Sequence, residues 1–377
     1  MRQQYDIGIV GGGLAGLSLA ILAADAGYNV VLFEKEEYPF HKVCGEYISF
    51  ESYDFLDRLG LPLHKWNLPV IKKLIVTDVN GKAYYFPLDL GGFGISRYKM
   101  DDALYQLAIK KGVEVFTGTK VNQILFEESA HIIQTNQQNY FAKVIAGSYG
   151  KRSNLDIKWK RSFTKQKANK LNNYIGVKYH VRLSHRKDEI ALHNFKNGYC
   201  GLSAIENDKY CLCYLTNADN LSSNNNSIQQ MQEYVLFKNP ALKKIFTESE
   251  FLFNEPITIS HISFNKKTQI ENHVFMLGDA AGMITPLCGN GMSMAMHSAL
   301  LAFEQIDLFL QQKISRKKME ENYISNWKQC FSLRLATGRS IQRFMGNKFS
   351  TTVFLKLMNA VPLLSKNIIR STHGKTF

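Results

Sequence analysis

The chain has 377 residues, 45% hydrophobic and 21% charged, which supports a sizeable core in two joined domains of ordinary globular composition. Its 46 Lys and Arg against 32 Asp and Glu give a net charge of +14, favouring an anionic partner or cofactor. No nucleic-acid motif, cleavable targeting peptide or bilayer-length apolar run is present, so a cytoplasmic protein, soluble or peripheral on the inner membrane face and without a nucleic-acid partner, is expected.

The first forty residues carry the strongest pattern. In "YDIGIVGGGLAGLSLAILAADAGYNVVLFEKEEY", Tyr5 to Val10 reads as a buried strand, Leu14 to Ala26 as a helix rich in small residues, and Asn29 to Phe33 as a second strand. Gly11, Gly13 and Gly16 lie between strand and helix in the order G-x-G-x-x-G: a tight turn, an open approach for a pyrophosphate, and close helix packing. Leu14 and Ala15 open the helix, whose unpaired N–H groups face the phosphates. Glu34 ends the second strand about 20 residues on, where a carboxylate accepts from ribose hydroxyls, and Lys35 follows it. An adenine dinucleotide is therefore expected; this fingerprint alone does not separate FAD from NAD.

"HKVCGEYIS" (His41 to Ser49) places Lys42, Cys44 and Glu46 in a loop. The six cysteines, at 44, 200, 211, 213, 288 and 330, form no C-x-x-C pair, so reduced thiols and no metal are expected. Cys211 and Cys213 share one face of a strand. "GGFGIS" (Gly91 to Ser96) has glycines but reads as lacking the flanking strand and helix of a second fingerprint. A dense basic run, Gly150 to Lys170, reads as a solvated face. "YIGVKYHVRL", "EIALHNF", "GYCGLSAIEN" and "KYCLCYL" read as strands of an antiparallel sheet.

Further on, a strand at Val274 to Leu277 leads into Gly278 and Asp279, then Pro286, then Gly289, Asn290, Gly291 and Met292 opening a long helix. An acid at a strand end beside a glycine-rich helix start suits a flavin, which needs a hydroxyl acceptor for its ribityl chain and N–H groups near its ring edge. The apolar tail with scattered Lys and Arg suits either packing against the cofactor domain or a membrane surface.

The fingerprint, "ISRYKMDDALYQLAIKKGVEV" and "GDAAGMITPLCGNGM" together resemble the FAD-dependent oxidoreductases of the aromatic-hydroxylase superfamily. The geranylgeranyl-reductase-like branch fits best, with flavin-dependent halogenases as neighbours. The resemblance covers nearly the whole length and implies an α/β architecture: a Rossmann-like FAD-binding domain of glutathione-reductase type, an inserted antiparallel-sheet substrate domain and C-terminal helices. The expected division assigns residues 1–74, 95–155 and 265–341 to the FAD domain, 75–94 and 156–264 to the substrate domain, and 342–377 to a helical tail.

By the same resemblance, Arg97 contacts FAD, Asp279 binds its ribityl hydroxyl, and Pro286 with Gly289 to Met292 lines the ring. Cys44 falls on the branch's Cys-Gly loop beside the substrate, Glu46 becomes a proton donor or a partner of Lys42, and His41 and Lys42 contact the adenosine or pyrophosphate. Tyr199 lines the substrate pocket. One departure stands out: Ser148 and Tyr149 replace the acid of the Asp-Gly pair that aromatic hydroxylases use for FAD and the nicotinamide donor. The expected activity is reduction of carbon–carbon double bonds in a small hydrophobic substrate, with NAD(P)H or a reduced carrier as donor. A monooxygenase acting on an aromatic or polyene is the alternative. Halogenation, for which Lys72 stands near a tunnel lysine but W-x-W-x-I-P is missing, and a non-catalytic flavoprotein are further readings.

Overall fold

In the computed structural model, which describes residues 4–166 and 172–377, the first apolar run is strand β1 (Gln4–Val10), followed by helix α1 (Leu14–Asp25) and strand β2 (Val30–Phe33). The chain then forms β3 (Tyr47–Ser49), α2 (Tyr53–Leu59), β4 (Val70–Thr77), β5 (Ala83–Gly94) and α3 (Arg97–Lys110). It continues through β6 (Glu114–Phe116), β7 (Val121–Glu127), β8 (Ala130–Thr135), β9 (Asn139–Gly147) and α4 (Asn154–Lys158). Next come β10 (Tyr174–Arg182), β11 (Glu189–Phe195), β12 (Gly198–Ala204), β13 (Tyr210–Asn217), α5 (Ala218–Ser222), α6 (Ile228–Tyr234) and α7 (Pro240–Glu248). The last elements are β14 (Glu250–Phe251), β15 (Ile257–Ile262), β16 (Ile270–Glu271), β17 (Val274–Met276), α8 (Gly291–Leu310), α9 (Arg316–Phe344), α10 (Lys348–Ala360) and α11 (Pro362–Thr372).

Two sheets result. The first runs β16-β17-β9-β1-β2-β6, parallel from β17 to β6, with the β7–β8 hairpin paired onto β9. Its central strands β2 and β17 are short, apolar and wholly buried, as is most of β1, and α1 packs there with α3 and α8. The second runs β14-β10-β13-β12-β11-β4-β5-β3, with β15 on β10. It is antiparallel as expected, apart from one parallel pair, β4 with β11. The first 94 residues supply three of its strands, and the expected division at residue 74 falls inside β4.

Side-chain alternation in the second sheet decides what faces the cofactor domain. On β10, Val177, Tyr179 and Val181 turn toward α6 and α7, where they join Met231, Leu236 and Leu242 in one apolar cluster. The alternate residues Lys178 and His180 therefore turn the other way, as do Cys211 and Cys213 on β13 and Ser203 on β12.

Three expectations change. "GGFGIS" is the end of a buried strand running straight into a helix: β5 extends through Gly94, and Ser96 caps α3 by accepting from the Lys99 N–H. Its glycines serve strand packing, since a Cβ at Gly94 would lie 1.7 Å from the carbonyl oxygen of Ala204. The run from Gly150 is not wholly a solvated face, because Arg161 is buried and paired with Asp156 at 2.8 Å; its residues 167–170 lie outside those described. The tail packs chiefly on the second sheet, through Leu355 and Met358 of α10 against Val76, Tyr84 and Phe86.

Gly94→Ala forces β5 away from the end of β12. A loss of about 2 kcal/mol in unfolding free energy is expected, read as a lower urea midpoint at unchanged slope.

Candidate functional site

The glycine turn is closed by contacts that only glycine allows. A Cβ at Gly16 would meet the Gly11 carbonyl oxygen at 2.1 Å, so α1 lies directly against the turn. Gly11 has φ +105°, and its added Cβ would stand 2.7 Å from the Ser148 backbone. Gly13 is different. It caps α1 without any side-chain hydrogen bond, and its added Cβ would have only Arg97 Nη2 at 3.6 Å and Lys42 Nζ at 3.7 Å nearby. An uncapped helix N-terminus facing two cations is a cradle for a pyrophosphate.

Asp101 holds those cations in place. It is buried, binds Arg97 through two hydrogen bonds of 2.6 and 2.7 Å, and pairs with Lys42 at 3.0 Å. Burial pushes its carboxyl pKa up, but Arg97 and Lys42 prevail and hold it below the ordinary range. One anion against two cations leaves net positive charge over Gly13. Sequence reading missed Asp101, although its position four residues after Arg97 on a helix was a usable signal.

The adenosine end is only partly as expected. Glu34 is buried at the end of β2, where Oε2 accepts from the Gly12 N–H at 2.8 Å and Oε1 from the Glu36 N–H at 3.2 Å. Ribose hydroxyls would approach these same oxygens. Tyr38, also missed, donates to the Gly12 carbonyl and stacks on Tyr105. Lys35 is not brought to the cradle: it is a surface residue paired with Glu36, because the side chain after a buried Glu34 turns to solvent.

The loop from Lys42 to Glu46 is the junction of the two layers. Each of its five carbonyls accepts a hydrogen bond from a different residue. Lys178 Nζ, Cys211 Sγ and Ser203 Oγ of the second sheet reach Lys42 (3.1 Å), Cys44 (3.1 Å) and Gly45 (2.7 Å). Lys151 Nζ reaches Val43 at 3.1 Å and the Ile95 N–H reaches Glu46 at 3.0 Å. Cys44 is thereby held half-buried beside Arg97, Lys178 and Cys213.

Glu46 is fully buried in the left-handed conformation, φ +57°. Oε1 accepts from Lys178 Nζ at 2.5 Å and the Arg97 N–H at 2.7 Å, and Oε2 lies 2.6 Å from His180 Nε2. Burial pushes its pKa up, but Lys178 and His180 outweigh burial and lower it to about 2. Glu46 is therefore a locked carboxylate. It carries no proton to donate near neutral pH, and its cation is Lys178 rather than Lys42. Together with His180 and Cys211 it offers three ligand atoms within 4.8 Å of one another, but the Lys178 ammonium already supplies the countercharge there. His41 packs its ring edge-on to His180 and beside Tyr98 and Phe253, away from the Gly13 cradle where Lys42 stands.

The third motif assembles opposite this loop. Gly278, at φ +55°, donates its N–H to Ser298 of α8 at 2.9 Å, which ties the strand end to the helix. Asp279 and Gly291 then lie together across a narrow packing gap, with Ile284, Met294 and Trp327 behind them. Lys267 braces the turn by donating to the Asp279 carbonyl at 2.7 Å, and burial lowers its pKa to about 8. Pro286 begins the short turn to Gly289, whose added Cβ would lie 3.1 Å from the Tyr47 ring. Tyr47 follows Glu46 directly, so it is the wall between the Cys-Gly loop and the glycine loop. Asn290 donates to the Thr372 carbonyl at 3.0 Å, and Met292 is buried. Helix α8 starts, like α1, without a side-chain cap.

Tyr199 is buried on β12 among Tyr174, Leu215, Phe264 and Met283, against Leu287 of the glycine loop. Burial, with Cys288 nearby, pushes its pKa far above the phenol range, so it stays protonated. Where the hydroxylase acid would stand, Ser148 Oγ donates to the Gly11 carbonyl at 2.5 Å and the Tyr149 hydroxyl donates to Asp156 at 2.9 Å. Both residues stitch the fold together. Lys72 is exposed on β4.

The cradle over Gly13, the strand-end Asp279 beside Gly291, and the second uncapped helix start fit an adenine dinucleotide bearing a flavin. Asp279→Ala is expected to weaken FAD binding at least tenfold, measured by fluorescence titration of the deflavinated protein. Glu46→Gln strands the Lys178 charge, and a loss of about 3–5 kcal/mol is expected at pH 7 by chemical unfolding. Because the carboxyl is depressed from an ordinary 4.5 to about 2, its stabilisation is complete above 4.5 and disappears as pH falls toward 2. The wild type should lose more stability than the variant across that window.

The chain is 23% identical to digeranylgeranylglycerophospholipid reductase 1 of Methanococcoides burtonii, over 89% of this chain and 82% of that protein. It is 22% identical to conditioned medium factor receptor 1 of Dictyostelium discoideum, over 90% of this chain and 71% of that one. A tryptophan 2-halogenase of Chondromyces crocatus is 20% identical over 84% of this chain and 63% of its own length. Among solved structures, the flavin-dependent brominase Bmp2 superimposes with a TM-score of 0.81 at 18% identity, covering 100% of this chain and 94% of that one. A geranylgeranyl bacteriochlorophyll reductase-like protein of Thermoplasma acidophilum does so with 0.78 at 17% identity, covering 100% and 97%. At such identities the superpositions establish the fold. Residues 4–321 match the family described as FAD binding domain, in keeping with the Gly13 cradle, and the chain belongs to that family of FAD-dependent oxidoreductases.

Proposed function

We propose that this flavoenzyme reduces carbon–carbon double bonds of a small hydrophobic substrate of isoprenoid type. The observation that carries the reading is the apolar roof of the second sheet. Tyr174, Tyr199, Leu215, Ile262 and Phe264 close over Met283 and Leu287, beside the loop that receives the flavin ring. Such a roof takes a hydrocarbon chain and excludes water from the reacting bond. The relatives named as digeranylgeranylglycerophospholipid reductases support the same substrate class.

Bound FAD, once reduced by NAD(P)H or a reduced carrier, supplies the two electrons and one hydrogen that the double bond needs. The chain's residues supply the rest. Arg97 and Lys42 would neutralise the pyrophosphate, Asp279 would hold the ribityl hydroxyl, and the helix start at Gly291 and Met292 would supply N–H groups to the ring. Addition across the bond also requires a proton. Glu46 has none, so the Cys44 thiol or a water beside it donates to the second carbon, while Glu46 keeps the loop in register. The exposed position of Lys72, together with the missing tryptophan motif, weighs against halogenation.

The test is anaerobic incubation of the FAD-loaded protein with dithionite and a geranylgeranyl-bearing lipid, followed by mass spectrometry. A gain of two hydrogens per reduced bond is expected, and Cys44→Ala should slow it at least tenfold at unchanged FAD occupancy. An oxygen atom gained only in air would replace this reading with a monooxygenase, and a halogen gained with added halide would replace it with a halogenase.

A further inference from the structure

The outer face of α10 with the start of α11 stays apolar after the fold is complete. Helix α10 turns Thr351, Leu355 and Met358 inward onto the second sheet. On its other side Phe349, Val353 and Leu357, spaced four residues apart, are 79%, 49% and 50% exposed. Val361 and Leu363, at 42% and 69%, carry the row into α11. Isolated exposed apolar residues are ordinary, but a contiguous row on consecutive helices marks a contact surface.

Charge identifies what it contacts. After Glu321 the chain contains nine Lys and Arg and no acid, whereas the whole protein carries 46 against 32. Lys348 and Lys356 are exposed next to the apolar row, and Lys366 and Arg370 are exposed beyond it on α11. A protein partner's apolar patch would not require this excess; a surface with anionic headgroups over hydrocarbon requires both features. No helix among the described residues is long and apolar enough to cross a membrane, so the element lies on the surface rather than through it.

We propose that this face docks the protein on an anionic lipid bilayer, with Phe349, Leu357 and Leu363 inserted at the headgroup boundary and the lysines over the phosphates. The docking element is wired to the cofactor site. Its last residue, Thr372, accepts from Asn290 in the glycine loop, and beyond it the Gly374 N–H donates to the buried Glu51, which pairs with Arg334 at 3.3 Å. A bilayer-borne substrate would thus be met beside the site. The docking itself does not depend on the proposed reduction, because bare vesicles test it.

The experiment is sedimentation of the full-length, FAD-loaded protein with phosphatidylcholine vesicles, with and without phosphatidylglycerol. Strong binding to the anionic vesicles, weakened by salt, is expected. Phe349→Ser with Leu363→Ser should lower the partition coefficient at least tenfold. Lys348→Glu with Lys356→Glu should lower it roughly fivefold per residue and abolish the anionic preference. All four side chains are exposed, and retained flavin absorbance with an unchanged circular dichroism spectrum verifies that the variants fold. No binding by the wild type, or binding that neither pair of substitutions weakens, overturns the proposal. So does light scattering that shows a dimer which the serine pair dissociates, since the face would then belong to a second copy of the chain.

Discussion

A carboxylate removed from water must find its countercharge inside the protein, and the Glu46 carboxylate finds it across the seam between the two layers. The second sheet supplies Lys178 and His180, while the cofactor layer supplies the Arg97 N–H at the start of α3. A left-handed backbone at a non-glycine residue costs on the order of 1 kcal/mol, small beside the cost of an unpaired buried charge. The loop is therefore held from both sides at its only acid, and Cys44 two residues earlier inherits that position. Removing Glu46 would leave Lys178 stranded and release the register of the whole loop.

Much of the positive charge serves this internal architecture. Lys151, Lys178 and Lys267 donate to backbone carbonyls at the loop and at the Asp279 turn, and Arg161 bridges Asp156 to the Ala280 carbonyl. Such long side chains satisfy carbonyls that irregular loops cannot pair along a ladder. Arg97 and Lys42 are the exception, sharing a single acid so that positive charge remains for a phosphate ligand. The C-terminal excess is of another kind: apart from Arg334, paired with Glu51, and Lys366, paired with Asp89, it includes exposed cations such as Lys348, Lys356 and Arg370.

The site is thus two uncapped helix starts, with Tyr47 walling the glycine loop from the Cys-Gly loop, under a sheet that is polar over the Cys-Gly loop and apolar over Met283 and Leu287. That division separates two chemistries: the helix starts offer N–H donors and positive charge, while the roof offers hydrocarbon and the phenols of Tyr174 and Tyr199. The C-terminal helices close the arrangement by linking the β4–β5 end of the second sheet, on the face opposite α6 and α7, to the glycine loop.

Local order made the cofactor half legible. Gly11, Gly13, Gly16 and Glu34 are read from spacing because the strand, turn and helix that use them are contiguous, and the same is true of Gly278 to Met292. The alternation of β13 also told that Cys211 and Cys213 share a face. What alternation could not tell was which face meets the loop, because that depends on α6 and α7 covering one side of a sheet whose strands come from both halves of the chain. The ion pair of Glu46 with Lys178 spans 132 residues and the Asn290 contact with Thr372 spans 82, so neither has a local signature. Sequence alone determined the dinucleotide turn, the strand-end acid and the two-sheet class, since each rests on neighbours along the chain. Only the tertiary structure decided that Glu46 is an anchor without a proton, that Asp101 divides two cations, and that the tail lies on the second sheet, because burial and countercharge are properties of what folds against a residue.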